Sequence, residues 1–245
     1  MLENPRSAYL LWDFEPDFDI ANPALALAAL SGAEKVIAVS SFATDHLEAL
    51  ADVILPLAPL AESEGTVHSL DGNAIAFEPA GKAAGESRPG WKILRRLGAA
   101  LGLDEFDQVD LAELRAEMES ALSGDAETGA WPEVSNGNSP AGLHRVGELP
   151  MFGVDALCRR SDSLQKTVHA DSHFVALNPE DAKGLGLEDG GNATVTQGEA
   201  SVDYPVRVTE TVAAGGAWVR SSTCSSRTLG DSFAPIEVKP GGAKN

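Results

Sequence analysis

Residues 51–77 of the chain are A-D-V-I-L-P-L-A-P-L-A-E-S-E-G-T-V-H-S-L-D-G-N-A-I-A-F. The apolar run Asp52–Leu57 predicts a buried strand that ends near Pro56, because proline has no N–H to donate to a sheet. Farther along, Val67–Phe77 predicts a β-hairpin, because Asp71 and Gly72 tolerate the positive φ angles of a tight turn. This stretch therefore joins a sheet to a hairpin through an acidic loop.

The residues before this stretch alternate between predicted helix and apolar strand. Ala24–Leu30 predicts a helix, Lys35–Ser40 predicts a strand, and Thr44 can cap a second helix that runs through Leu50. The short apolar run Tyr9–Trp12 adds a further strand, so the unit has at least three. Strands that are apolar on both faces and alternate with helices are typical of a parallel sheet. We therefore expect an α/β fold with a partial Rossmann-like sheet.

Two helices are predicted after the hairpin. The first begins near Ser87 and Pro89 and ends at Gly102, and we expect it to bury one apolar face, which consists of Trp91, Leu94, Leu97 and Leu101. The second begins at Asp110, which forms a capping-box pattern with Glu113. Its predicted apolar stripe consists of Leu111, Leu114, Met118 and Leu122.

The rest of the chain divides into a predicted linker and a predicted barrel. Residues 123–150 are rich in Gly, Ser, Asn and Pro without a period, which is typical of a linker between an α/β domain at 1–122 and a domain at 151–245. In the last domain a short helix after Asn178 is predicted to end at Gly184 and Gly186. The strands that follow are separated by turns and predict a small closed or nearly closed β-barrel; they are Asn192–Gln197, Ala200–Thr209 and Ala217–Ser221.

Composition limits the classes of partner. The 245 residues include 37 acidic and 18 basic side chains, a formal charge of -19 that repels nucleic acid and anionic lipid headgroups. No window has the run of about 20 apolar residues that spans a bilayer, and the first residues lack the pattern of a secretory signal. We therefore expect no nucleic acid partner, no direct membrane insertion and a cytoplasmic location.

Two sets of side chains have some features of chemical sites, but neither set is assigned as one. Glu62 and Glu64 would point to opposite sides of an extended loop, whereas acid/base pairs need convergent carboxylates, so we interpret them as solvated parts of a scaffold. His169 and His173 have the spacing of a helical metal pair, but no third ligand is spaced for them. The sequence therefore predicts no catalytic, cofactor-binding or metal-binding residue.

The cysteines and arginines lead to two further expectations. Cys158 and Cys224 lie too far apart to hold an iron–sulfur cluster on this chain alone, and Cys224 is expected to be a semi-buried, unreactive thiol. Arg159 and Arg160 could clamp a phosphate or a carboxylate, because the guanidinium fork suits both, or could be plain surface residues. The usual nucleotide-binding and hydrolase motifs are missing from the sequence.

Five stretches resemble one known family. A-D-V-I-L-P with E-S-E-G-T-V, and then G-E-S-R-P-G-W-K-I-L-R-R-L-G, resemble the molybdopterin oxidoreductase superfamily, and specifically the large iron–sulfur G subunit of bacterial NADH-quinone oxidoreductase, respiratory complex I. L-P-M-F-G-V-D-A-L-C-R-R-S-D-S-L-Q is similar to the segment that leads into the last domain of that protein. F-V-A-L-N-P-E-D-A-K-G-L-G-L-E-D-G resembles the superfamily's barrel domain, so the resemblance extends from about Ala33 to Val238.

The resemblance implies the carboxy-terminal portion of that large subunit, with the end of an α/β domain followed by a double-psi-like barrel. Family members hold their iron–sulfur clusters on an amino-terminal region that has no counterpart here. The glycine- and threonine-rich loop with which molybdenum enzymes contact the pterin is replaced by V-D-A-L-C-R-R at 154–160. We therefore expect no cofactor on this chain.

The resemblance leads to one hypothesis and two alternatives. The hypothesis is a scaffold region in the hydrophilic arm of complex I, peripheral to the inner membrane through that complex, with the other arm subunits as partners. It would support NADH-to-quinone electron transfer without catalytic residues of its own. The alternatives are a pterin-binding part of a molybdenum oxidoreductase, such as a formate dehydrogenase, and a stand-alone interaction module.

Overall fold

The computed structural model describes residues 1–121 and 142–241. Within these residues the chain forms a parallel sheet, a two-stranded hairpin and a closed barrel. The mixed α/β fold class and the closed barrel are confirmed, while the double-psi topology stays a prediction. No helix of the described residues is both long and apolar enough to cross a membrane.

The parallel sheet forms from the first five elements, which are β1 (Ala8–Trp12), α1 (Pro23–Ser31), β2 (Lys35–Ser40), α2 (Asp45–Leu50) and β3 (Val53–Pro56). Its strand order is β1-β2-β3, and both neighbouring pairs are parallel. β2 is the central strand and is buried on both faces, as its continuous apolar sequence predicts. The predicted parallel sheet is thus confirmed.

Apolar clusters cover the two faces of this sheet. Leu30 of α1 and Leu47 of α2 pack with Val36 on one face, and Val39 packs with Leu57 and Ile93 in a separate small cluster. The predicted cap of α2 is confirmed, since the Leu47 N–H donates to Thr44 Oγ1 over 3.1 Å. Helices therefore fix the sheet whose strand ends form one wall of the site described below.

The predicted hairpin is confirmed. After a 3-10 turn at Leu60–Glu62, β4 (Gly65–His68) pairs antiparallel with β5 (Ala74–Phe77), and Gly72 in the turn has a φ of 85°. Arg115 holds the base of the hairpin, because its guanidinium donates to Thr66 Oγ1 and to the Gly65 carbonyl, each over 2.9 Å.

The next helix, α3 (Gly90–Ala100), buries a different face from the predicted one. Ile93 and Gly98 are buried, whereas Leu94 and Leu101 are 40% and 66% exposed. The reason is steric: a Cβ added at Gly98 would lie 2.2 Å from the Phe106 ring, so the helix turns this glycine toward the ring. The predicted face is therefore wrong at Leu94 and Leu101, whereas its other members, Trp91 and Leu97, are half-buried.

The helix α4 (Leu111–Ala121) has no buried residue. Asp110 Oδ1 accepts from the Glu113 N–H over 3.0 Å, as the capping pattern predicts. Glu113 Oε2 accepts from the Val109 N–H, one residue before the cap. The predicted apolar stripe is wrong at Met118, which is exposed, while Leu111 and Leu114 are half-buried. Its last member, Leu122, lies outside the described residues.

The remaining elements build the barrel and its approach, and they are β6 (Leu143–Val146), α5 (Ala156–Arg159), α6 (Asp162–Gln165), β7 (Val175–Leu177), α7 (Pro179–Leu185), β8 (Asn192–Gln197), β9 (Ala200–Val208), β10 (Gly216–Trp218) and β11 (Pro235–Pro240). A 3-10 turn lies at Val168–Ala170. The barrel closes in the order β10-β6-β11-β8-β9-β7. Closure pairs every strand on both sides and removes exposed edges.

Two local features of the barrel agree with the sequence. Asn178 caps α7 through the Glu180 N–H, and Gly186 ends it in the left-handed conformation with a φ of 70°. Val195, Tyr204 and Val206 are almost fully buried in one continuous cluster inside the barrel. β8 and β9 and the turn between them lie where the sequence predicts them.

The predicted linker contains the first barrel strand. Most of it, residues 123–141, lies outside the described residues, but β6 pairs parallel with β10 and antiparallel with β11. The barrel therefore begins inside the stretch that the sequence predicts to be linker. Arg145 of β6 is 2% exposed, and this burial lowers the pKa of its guanidinium.

Arg145 connects the barrel wall to the loop that follows β10. Its guanidinium N–H groups donate at 3.1 to 3.4 Å, and the acceptors are the carbonyls of Val219, Arg220 and Gly230, Gln197 Oε1 and Ser221 Oγ. All five acceptors are neutral groups. This buried cation orders residues 219–232, which form the barrel's side of the site.

Candidate functional site

An interdomain cleft of about 850 Å³ lies where the sheet faces the barrel. Its sheet wall includes Asp13, Ser40 and Phe42, which follow or end β1 and β2, and its barrel wall includes Ser221 and Phe233. In open α/β sheets, ligands bind in the crevice beyond the carboxyl ends of the strands. This cleft is therefore the candidate site.

The loop 13–21 after β1 forms the sheet wall. Asp13 adopts a positive φ of 46°, and its N–H donates to the Val39 carbonyl over 2.7 Å. The Asp13 carboxylate accepts from Ser41 Oγ over 3.1 Å, which joins the ends of β1 and β2. The loop thus carries its acidic side chains to the carboxyl edge of the sheet, where several find partners.

Serines of the barrel wall hold the same loop. Ser232 donates through both its N–H and its Oγ to the Ala21 carbonyl over 3.1 Å, and Ser222 Oγ donates to the Phe18 carbonyl. Ser221 Oγ lies 2.6 Å from Ser232 Oγ. Hydroxyls that are used to fix a loop are not available as nucleophiles, and no base among the described residues contacts them.

Arg159 and Arg160 form a carboxylate–arginine cluster with Glu15 and Asp19. Arg159 lies 3.0 Å from Glu15 Oε2 and 2.9 Å from Asp19 Oδ1, and Arg160 lies 2.6 Å from Glu15 Oε1. The Glu15 and Arg159 side chains are only 3% and 9% exposed. Of the predicted roles, clamping a carboxylate is the one observed, and that carboxylate belongs to this chain.

Asp17 is the unpartnered acid of this loop. Its side chain is 1% exposed, neither oxygen accepts a hydrogen bond from the described residues, and Arg227 approaches only to 3.9 Å. Burial is the main reason why the pKa of Asp17 is raised above 3.8. Glu15 and Asp19 thus fix the loop, and in this arrangement Asp17 is buried without a hydrogen-bond partner among the described residues.

The histidines and cysteines do not form a site. The His169 ring contacts Phe152 and the His173 ring contacts Tyr204. In the described part of the chain, no three His, Cys, Asp or Glu side chains are grouped as metal ligands would be. Cys224 is exposed rather than semi-buried, and the pKa of the Cys158 thiol is raised, first because it hydrogen bonds to Asp155.

The two acids of the loop after β3 contact the scaffold at separate points. Glu62 Oε2 accepts from the Ala84 N–H over 3.0 Å, and Glu64 Oε1 accepts from Trp91 Nε1 over 3.3 Å and pairs with Lys92. They are bonded parts of the scaffold rather than freely solvated acids.

The sequence reasoning missed Glu15, Asp17, Asp19 and Arg145. A signal for the three acids was present, because D-F-E-P-D-F-D at 13–19 directly follows an apolar strand, where acidic side chains reach the carboxyl edge of the sheet. Arg145 gave no comparable signal, since it lies in a strand of four residues.

Comparison with known protein families gives two matches. The Molybdopterin oxidoreductase family matches residues 3–100, and the Molydopterin dinucleotide binding domain matches residues 156–239. The first match covers the parallel sheet, hairpin and α3, and the second covers β7 to β11 of the barrel. The interdomain cleft is lined by residues of both matched regions.

Individual relatives agree with these families. The chain is similar to the alpha subunit of F420-dependent formate dehydrogenase 2 of Methanococcus maripaludis, with 26% identity over 68% of this chain and 31% of the relative. It is similar to the G subunit of NADH-quinone oxidoreductase of Streptomyces coelicolor, with 28% identity over 78% of this chain and 23% of the relative. The chain thus spans about a third or less of the length of these relatives.

A solved structure shares the fold. Acetylene hydratase from Pelobacter acetylenicus superposes with a TM-score of 0.63 at 15% identity, over 92% of this chain and 40% of that structure. The arrangement of sheet and barrel is therefore one that occurs in a larger known protein.

The described side chains of the cleft offer no positive charge to the dinucleotide that the family descriptions imply. A pyrophosphate needs basic side chains or free N–H groups around it. The described residues of the cleft wall include no Lys, Arg or His, and its acids are Asp13, Glu15, Asp19, Glu148 and Asp155. Arg159 and Arg160, which lie next to the cleft, are already paired with Glu15.

Proposed function

Because the chain belongs to the molybdopterin oxidoreductase superfamily, we propose that it is a scaffold region of the large iron–sulfur G subunit in the hydrophilic arm of complex I. In this role it supports electron transfer from NADH to quinone and holds no redox group itself. Its location is then peripheral to the membrane through the complex, and its partners are other subunits of that arm.

The acidic cleft is the observation on which this proposal rests. Arg159 and Arg160, beside the cleft, bind Glu15 and Asp19 and so join the loop after β1 to the segment before β7. Their charge is used to hold the loop and is not available to a bound anion. The cluster thus holds the loop in place and leaves no unpaired arginine among its members for an anion.

The proposal is tested by analysing the chain for cofactor. The chain is expressed in a host that synthesises molybdenum cofactor, and its molybdenum, tungsten and oxidised pterin are measured per mole of protein. We expect far less than one equivalent of each. The matched control is the equivalent span of the formate dehydrogenase alpha subunit, which shows whether such a span retains pterin.

A second test addresses the assembly. We expect the tagged chain to co-purify with neighbouring subunits of the complex I arm when they are produced together. No association, or one equivalent of metal with pterin on the chain, would overturn the scaffold role.

The alternative is a pterin-binding part of a formate dehydrogenase-like enzyme. It is favoured by the 26% identity to the F420-dependent formate dehydrogenase 2 alpha subunit and by the match to the dinucleotide binding domain. Stoichiometric pterin on the chain, together with no co-purification of the complex I subunits, would support this alternative.

A further inference from the structure

A second cavity, the basic groove, shares no lining residue with the interdomain cleft. It has a volume of about 600 Å³ and runs beside α3, with Arg88, Lys92, Arg95 and Arg96 around a floor that includes Leu55 and Leu97. Glu86 is its one acidic lining residue among those described, and Lys92 is already paired with Glu64 over 3.1 Å, which leaves the three arginines as its unpaired cations. The chain as a whole has 37 acidic and 18 basic residues, so the local charge of the groove is opposite in sign to the net charge of the chain.

The arginines of the basic groove have fewer partners than Arg145 and Arg159. Arg145 and Arg159 have all or most of their donors occupied inside the chain. Among the described residues, the side chains of Arg95 and Arg96 have neither a hydrogen bond nor an ion pair, and the Arg88 side chain donates only to the carbonyl of Ser87. Their forks are therefore free to bind an external anion.

Apolar surface lies directly between these cations. Leu55 and Leu97 form the floor, the Trp91 ring forms part of the wall, and Val109, at the rim, is 75% exposed. The sheet order places β3 at an edge of the described sheet, so the groove opens to solvent beside it. Trp and Arg, both present in this groove, are enriched among the residues that dominate binding at protein interfaces.

The charge distribution selects the class of partner. A long polyanion such as nucleic acid would be attracted by the basic side chains of the groove. The rest of the chain, whose total charge is -19, would repel it. A short acidic segment meets only the local field, and its carboxylates can bind the arginine forks in a bidentate manner. Its apolar residue can at the same time cover Leu55 and Leu97.

We propose that the basic groove binds an acidic peptide segment of a partner protein, in which carboxylates flank an apolar residue. The carboxylates pair with Arg95 and Arg96, and the apolar residue lies on the floor beside Trp91. This binding does not depend on the scaffold role proposed above.

The test uses the full chain and a fluorescein-labelled peptide in which Glu residues flank a Leu-Leu pair. Fluorescence anisotropy measures its affinity for the unaltered chain and for the Arg95→Glu/Arg96→Glu variant. We expect binding that weakens about tenfold or more in this variant, because two charge-assisted pairs become repulsive. Replacing the Leu-Leu pair by Ser-Ser should also weaken binding, and raising the salt concentration should lower it further.

The matched control is Arg6→Glu/Lys82→Glu, which changes the net charge equally at two exposed side chains outside the groove. Circular dichroism and the unfolding midpoint show that each variant is folded. Equal affinity in both double variants, or no binding by the unaltered chain, overturns the proposal. Anionic vesicles or a single-stranded oligonucleotide that bind more tightly than the peptide also overturn it, as does self-association that the groove variant abolishes.

Discussion

The barrel and the α/β region differ in how they pair their strand edges and bury their apolar side chains. The barrel closes its sheet and gathers most of its buried apolar residues into one large cluster, beside a small second one around Phe174. The α/β region leaves β1 and β3 at the edges of its sheet and divides its apolar residues between separate small clusters. Large apolar side chains on its elements are exposed, and they include Leu10, Val53, Val67, Ile75 and Leu94.

This difference indicates which contacts stabilise each region against unfolding. A closed sheet satisfies its backbone groups internally, so the barrel depends on its own core and on the Arg145 contacts. An open sheet needs something else to hold its loops, and here the carboxylate–arginine cluster does so from the barrel side. We therefore expect the largest losses of stability from changes in the barrel, smaller ones at the junction and the smallest in the exposed parts of the α/β region.

Arg145→Met gives the sharpest test of the barrel. The change leaves the carbonyls of Val219 and Gly230 without their donor, and a set of buried acceptors that lose a charged partner should cost about 3–5 kcal/mol. The free energy of unfolding in urea measures this loss. Lys239→Met, at an exposed residue of β11, is the control and should change it little. A loss below about 1 kcal/mol would remove the difference between the regions.

Glu15→Gln tests the junction. The variant keeps the size of the side chain but removes the charge that faces Arg159 and Arg160, so we expect a loss of about 2–3 kcal/mol. The loss should be smaller than for a fully buried pair because Arg160 is 33% exposed. Glu34→Gln, an exposed acid of the same region, is the control. An unchanged urea midpoint would show that the cluster does not hold the loop.

Substitutions along α3 test which face of this helix is buried. Ile93→Ala should lower the free energy of unfolding by about 2–3 kcal/mol, because Ile93 packs with Val39 and Leu57. Trp91 is only half-buried, so Trp91→Ala should cost about 1–2 kcal/mol. Leu94→Ala, on the exposed side, should cost less than either. The reverse ranking would restore the face that the sequence predicts.

Asp17→Asn should have the smallest effect and the opposite sign. Since burial raises the pKa of Asp17 in the folded state, the unaltered chain loses stability as the pH rises from 3.8 through that higher pKa. The variant does not titrate there, so its advantage should grow over this window and then level off at about 1 kcal/mol. Unfolding at a series of pH values measures it, with Asp104→Asn as the exposed control. A gap that does not vary with pH would contradict the buried charge.

Local patterns predicted most of the elements but not the contacts between them. The α/β order, the hairpin around Gly72, the cap at Thr44 and the helix after Asn178 each depend on a few neighbouring residues, and the structure has all of them. The face of α3 was missed because Phe106, outside the helix, decides which side the helix buries.

The site was harder to predict because its partners are distant in sequence. Glu15 and Arg159 meet only when the sheet and the barrel are in place, and neither residue's neighbours indicate the other. The same holds for Arg145, whose acceptors belong to three later segments. Its strand was hidden because the surrounding glycines, serines and prolines are typical of a linker.

The order of strands around the barrel also has a consequence during synthesis. β6 leaves the ribosome first among the barrel strands, yet both of its neighbours, β10 and β11, are translated last. Closure therefore waits for β11, and β6 offers two unpaired edges until β10 has been made and one until β11 has been made. A nascent chain stalled before Pro235 would expose one edge of β6 and one edge of β8, so premature termination should yield an aggregation-prone species rather than a smaller folded barrel.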